Sequence, residues 1–153
     1  MTGETIRHGL LVSRISGALQ ARLDSHAFDI ISGNIKVIAD QVVRYPDVVV
    51  FRPTGELGVD VAPEPVLVVE VVSRHTRRVD RFDKNVDYAA TPSIQHYVML
   101  AEERRSAVVC SRTPGGWMSM ELEGAGSISL PAIGVDLSLD DIYRRICPEG
   151  AVS

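Results

Sequence analysis

The chain has 153 residues, 45% of them hydrophobic and 24% charged, the size and balance of one ordinary globular domain with a sizeable core. A formal net charge of −4 and a pI near 5.5 exclude a broadly basic surface of the kind that binds nucleic acid indiscriminately, while leaving room for a local basic cleft. No apolar run reaches membrane-spanning length and the N-terminus lacks the basic-then-apolar pattern of a signal segment; Cys110 and Cys147 fit no metal spacing, so the expectation is a cytoplasmic protein with reduced thiols and no membrane contact.

In chain order, Thr5 to Leu23 predicts an amphipathic helix whose clearest stripe is Leu11, Ile15, Ala18 and Arg22. Gly9 and Gly17 weaken it or admit a close neighbour. His8, in its first turns, reads either as a partly exposed histidine or as a polar group facing a cleft. Phe28 to Ile31 and Ile35 to Ala39 predict short strands flanking Ser32-Gly33-Asn34, a hairpin signal. Strand character runs from Gln41 to Phe51. Pro46 interrupts it and marks an edge, a bulge or the point where the strand properly begins. Asp47 then opens the apolar run Val48 to Phe51. Arg52 to Glu64, with Pro53, Gly55, Gly58 and Pro63, reads as a surface loop.

Pro65 to Ser73, Pro-Val-Leu-Val-Val-Glu-Val-Val-Ser, predicts a central strand buried on both faces. Ser73-Arg-His-Thr-Arg-Arg78 is a basic turn, followed by a helix from about Val79 to Ala90. Val79, Phe82, Val86 and Ala89 or Ala90 form one face of that helix. Asp80, Lys84, Asp87 and Tyr88 form the other. Thr91-Pro92 ends it. Ile94 to Leu100, Arg105 to Cys110 and Trp117 to Leu122 predict a β-meander, and Ile128 to Leu130 a further short strand. Ser138 caps a last helix over Leu139 to Ile146, and Pro148 ends it. The order predicts a single α/β (α+β) domain over residues 1–153, with a mixed sheet flanked by helices. No Gly-rich phosphate loop is present.

Chemistry concentrates at two acids. Glu70 lies inside the most apolar strand, where a carboxylate costs several kcal/mol unless something pairs with it. Asp47 precedes it by 23 residues, enough for a strand, a loop and a strand back. Antiparallel strands bring the two together. With one backbone carbonyl, taken as that of Val71, they make an oxygen-rich site suited to magnesium or manganese. Lys84 on the next helix is placed to position or activate a water there. Each residue also has a plainer reading. Asp47 could be a turn residue after Pro46, and Glu70 a strand end with its side chain in solvent. Lys84 with Asp80 is a surface i,i+4 pair worth roughly 0.3–0.5 kcal/mol.

The ordered set Tyr45-Pro-Asp-Val-Val-Val, Leu67-Val-Val-Glu-Val-Val-Ser73 and Asp80 with Lys84 and Tyr88 resembles the Uma-two-type restriction-endonuclease family. The likeness continues through Ser93-Ile-Gln-His-Tyr-Val, Ala101-Glu-Glu-Arg-Arg, Gly115-Gly-Trp and Leu130-Pro-Ala-Ile-Gly. That family is assigned to the PD-(D/E)XK nuclease superfamily. The resemblance implies a restriction-endonuclease-like core, a divalent metal and hydrolysis of DNA phosphodiester bonds. It implies Asp47, Glu70 and the Val71 carbonyl as metal ligands and Lys84 as the catalytic cation, the superfamily's usual lysine position holding Val72. Relative to the family the N-terminus is expected to be shortened, with Glu4 a poor positional substitute for a further acid. The turn after Glu70 is more basic than the family's Ser-Pro-Ser-Thr, which favours a phosphate backbone or is simply solvated. The competing expectation is a catalytically impaired binding or regulatory module of the same fold, acting in nucleic-acid or protein binding, with a homodimer as one form; a third is a hydrolase of another phosphate ester.

Overall fold

A computed structural model of the chain describes residues 4–75 and 78–147; Thr76 and Arg77 of the basic turn and Pro148 after the last helix lie outside the described residues. Helix α1 (Ile6–Arg22) starts at Thr5, whose hydroxyl accepts a hydrogen bond from the His8 N–H at 3.0 Å and donates one to Glu102. Its buried stripe is Leu11, Ile15 and Leu19, one helical face repeated every four residues; Arg22, expected on that face, is exposed.

The strands are β1 (Asp29–Ser32), β2 (Val37–Ala39), β3 (Val42–Arg44), β4 (Val48–Phe51) and β5 (Pro65–Val72). Helix α2 (Arg78–Ala89) follows, then β6 (His96–Ala101), β7 (Ser106–Thr113), β8 (Gly116–Glu123), β9 (Ser127–Leu130), a 3-10 turn, β10 (Val135–Ser138) and α3 (Leu139–Tyr143). The main sheet has the order β1-β4-β5-β6-β7-β8. Only β5 and β6 run parallel, and a parallel pair needs a crossover, which α2 supplies. The predicted meander is β6-β7-β8, and β5 is the buried centre that its Val-rich sequence predicts.

One expectation of strand pairing is corrected. The Ser32-Gly33-Asn34 turn does not close a hairpin, because β1 pairs with β4 and β2 pairs with β3. The local hairpin is β2–β3, turned by Asp40 and Gln41 at φ of 47° and 69°, the left-handed pair that a two-residue hairpin loop requires. Helix α2 turns its polar face to the sheet, as the expected placing of Lys84 requires. An apolar stripe normally faces the core. Here Val79, Phe82 and Val86 are 69%, 67% and 47% exposed, while Tyr88 is fully buried and Lys84 turns toward the sheet. The last helix also ends earlier than predicted, at Tyr143.

Two cores sandwich the sheet. On one side Leu11, Ile15 and Leu19 of α1 pack with Val48, Leu67, Val69 and Val98, together with Ile128, Leu137 and Ile142. On the other, Val49, Phe51, Val68, Tyr97 and Cys110 pack with Tyr88 of α2 and Val37 and Ala39 of β2. Strand alternation therefore puts Glu70 on the α2 side, in line with Val68. Arg44 of β3 pairs with Asp87 of α2 and ties the small hairpin to the helix. Both cysteines are buried and unbridged.

Candidate active site

The register that sets Val48 opposite Val69 brings the Asp47 segment alongside Glu70 at the end of the β4–β5 pair. Asp47 Oδ2 accepts the Val71 N–H at 2.8 Å, so a β5 backbone group holds the carboxylate at the strand's mouth. Its other oxygen lies 3.3 Å from His8 Nε2. Helical spacing explains this. His8 stands three and seven residues before Leu11 and Ile15, so it continues the buried stripe of α1, and packing that stripe on the sheet carries the imidazole over Asp47. His8 is partly exposed and turns its imidazole to Asp47, so each of its two readings describes it in part.

Glu70 is 7% exposed and both its oxygens are met. Lys84 Nζ donates to Oε1 at 2.8 Å, and the Tyr97 hydroxyl donates to Oε2 at 2.9 Å. Lys84 also lies 3.4 Å from Asp80, so the surface pair exists, but as the outer half of an Asp80–Lys84–Glu70 chain. Burial opposes the lysine's charge; the Glu70 and Asp80 carboxylates outweigh it and hold the ammonium above its usual pKa. Burial and then the charge of Glu70 push the Tyr97 phenol far upward, which keeps it a donor. Tyr88, raised by the same two causes, is fully buried with a hydroxyl that finds no hydrogen-bond partner among the described residues.

Sequence reasoning singled out Asp47, Glu70 and Lys84, and the structure joins Lys84 to Glu70 directly and Asp47 to the backbone one residue beyond Glu70. Tyr97 was missed, because nothing in a strand sequence says which alternate residue will reach a neighbour's carboxylate. Glu4, set aside on position, lies 3.3 Å from His8. Among the described residues, Glu4, His8 and Asp47 form the group of potential ligand atoms that lie within 4.8 Å of one another; Glu70 is not in it. No helix among the described residues is long and apolar enough to cross a membrane.

A family model, Uma2, described as "Putative restriction endonuclease", matches residues 1–140. An uncharacterized protein of Synechocystis sp. is 27% identical over 150 residues, covering 95% of this chain and 79% of that protein. Among solved structures the chain is similar to "a putative nuclease belonging to DUF820 from Anabaena variabilis ATCC 29413", with a TM-score of 0.68 and 12% identity, over 93% of this chain and 83% of that one. At that identity the structural likeness establishes the fold.

Proposed function

The chain belongs to the Uma2 restriction-endonuclease family, and from that premise we propose that it is a magnesium- or manganese-dependent endonuclease that hydrolyses DNA phosphodiester bonds. The observation that carries this reading is the orientation of α2. A helix that buried Val79, Phe82 and Val86 would gain about 1.5–3 kcal/mol for each side chain fully buried. This one leaves them exposed and turns Lys84 and Tyr88 to the sheet, where Lys84 meets Glu70. Local rules broken at one face, with polar groups gathered at the other, mark a site under functional constraint.

By type, two carboxylates and a backbone carbonyl are the donors a hard divalent ion takes, with Glu70 standing apart from the closer Glu4, His8 and Asp47 group. Each carboxylate oxygen of Asp47 and Glu70 retains a lone pair beyond the contact it makes. Asp47, Glu70 and the Val71 carbonyl would hold the ion; when bound, it would ease deprotonation of a water and offset charge on the phosphoryl oxygens. Lys84 supplies a fixed positive charge as the phosphoryl group becomes more negative toward the transition state. Tyr97 holds Glu70, and His8 with the Val71 N–H holds Asp47, so neither acid must reorganise during the reaction.

Nicking of supercoiled plasmid in manganese tests the assignment. Asp47→Asn, Glu70→Gln and Lys84→Met are each expected to lower the rate by about 10²-fold or more, the scale of removing one preorganised electrostatic group. Wild-type rates in the two carboxylate variants would overturn it. Cleavage of RNA with no cleavage of DNA would overturn the substrate.

A further inference from the structure

A second polar feature adjoins the acidic site. Just beyond the end of β5, a cavity of about 340 Å³ is lined by Val72, Arg74, Arg81, Glu103 and Arg104. The arginines come from three places: the turn after β5, helix α2 and the turn between β6 and β7. Among the described residues, none of their guanidinium groups makes an ion pair, although the chain carries a formal charge of −4. The single acid at the rim, Glu103, accepts the Arg74 backbone N–H at 3.2 Å. Three arginines against one acid leave a local excess of positive charge where the fold itself needs none.

Guanidinium forks match the oxygens of a phosphate, and arginine is the side chain suited to that contact. The position is specific as well. Val72 is two residues beyond Glu70 and so on the same face of β5, about 6–7 Å along the strand. The cavity therefore adjoins the acids at the end of β5, within reach of a neighbouring phosphate of the same strand. We propose that this cavity is a phosphate subsite that grips the backbone of the substrate strand at a phosphate neighbouring the one at Asp47 and Glu70. The proposal rests on the nuclease reading above. It adds the groups that bind the polymer to the groups that cut it.

The test measures binding of a fluorescent DNA duplex by anisotropy across a potassium chloride series. Glu70→Gln protein serves as the parent, so that the probe is not consumed. Arg81→Gln with Arg104→Gln is added to that parent, and Arg22→Gln, which removes one positive charge at the far end of α1, about 25 Å along the helix from its start, serves as the control. The double change is expected to reduce the slope of log Kobs against log salt by about two and to weaken binding at least tenfold at 0.1 M salt. A slope equal to that of the Arg22→Gln control overturns the subsite. So does a parent that binds no duplex, or one that binds inorganic phosphate at these arginines while its duplex slope is indifferent to them. Plasmid nicking by the protein with Glu70 intact is read separately. Nicking with an unchanged slope fails the subsite alone, and a reduced slope without nicking fails the nuclease reading alone.

Discussion

A carboxylate inside an eight-residue apolar strand persists because donors reach both of its oxygens. The two tyrosines beside it therefore respond oppositely to the loss of a hydroxyl. Tyr97→Phe leaves Glu70 Oε2 without its donor and is expected to cost about 1–3 kcal/mol. Tyr88→Phe removes a buried hydroxyl that has no partner among the described residues, so thermal unfolding should show an unchanged or higher Tm. A large loss in the second variant would contradict the packing described. His96 is a third buried polar group. The Ala132 N–H donates to its Nε2 at 3.3 Å, its Nδ1 lies 2.8 Å from the Ser111 hydroxyl, and burial lowers its pKa to about 4. The unfolded chain, with an ordinary histidine near 6.5, then binds more protons than the folded one between those values. Stability is expected to be full above pH 6.5 and to fall by about 3 kcal/mol as pH drops to 4, a slope that His96→Gln should flatten in denaturant titrations at stepped pH.

At the scale of elements, what could be read from the sequence was what is locally encoded. Thr5 and Ser138 each supply a helix N-cap, the Val-rich run of β5 declares a buried strand, and β6-β7-β8 follow one another as a meander. Strand partners and helix rotation are set elsewhere. Gly33 with its neighbours looks like a hairpin turn, yet β1 finds a better partner in β4 across the sheet. The apolar stripe of α2 points outward because Lys84 pairs with Glu70 and Tyr88 packs into the core beneath, constraints that lie on other elements. This has a direct consequence. Phe82→Ala should cost less than about 1 kcal/mol, against the 3–5 kcal/mol of a core phenylalanine, as measured by urea unfolding. In the β2–β3 turn, Gln41 sits at φ 69°, where glycine carries no strain. Gln41→Gly should raise the Tm, and a drop would argue against that hairpin.

At the scale of the molecule, the candidate site draws on five parts of the chain: the start of α1, the segment before β4, and β5, α2 and β6. Asp47, Glu70 and Lys84 stood out in the sequence because a Pro-Asp and an acid within an apolar strand are costly patterns that ordinary folding does not need. Tyr97 did not, and His8 and Glu4 were legible only as open alternatives, since each reaches the site only through tertiary packing: α1 laid on the sheet by Leu11, Ile15 and Leu19, and β6 laid parallel to β5. The sheet thus acts as the frame on which acids from β5 and its neighbour, a lysine from the crossover helix and arginines from the adjoining turns meet at one end. The central claim is that Asp47 and Glu70 together hold a divalent ion for hydrolysis. The measurement that tests it most directly is calorimetric titration of manganese into the wild-type protein and into Glu70→Gln, with plasmid nicking assayed on the same samples. The account predicts saturable binding and nicking in the wild type, both lost in the variant. Manganese binding of equal strength in the two proteins, or none in the wild type, would contradict it.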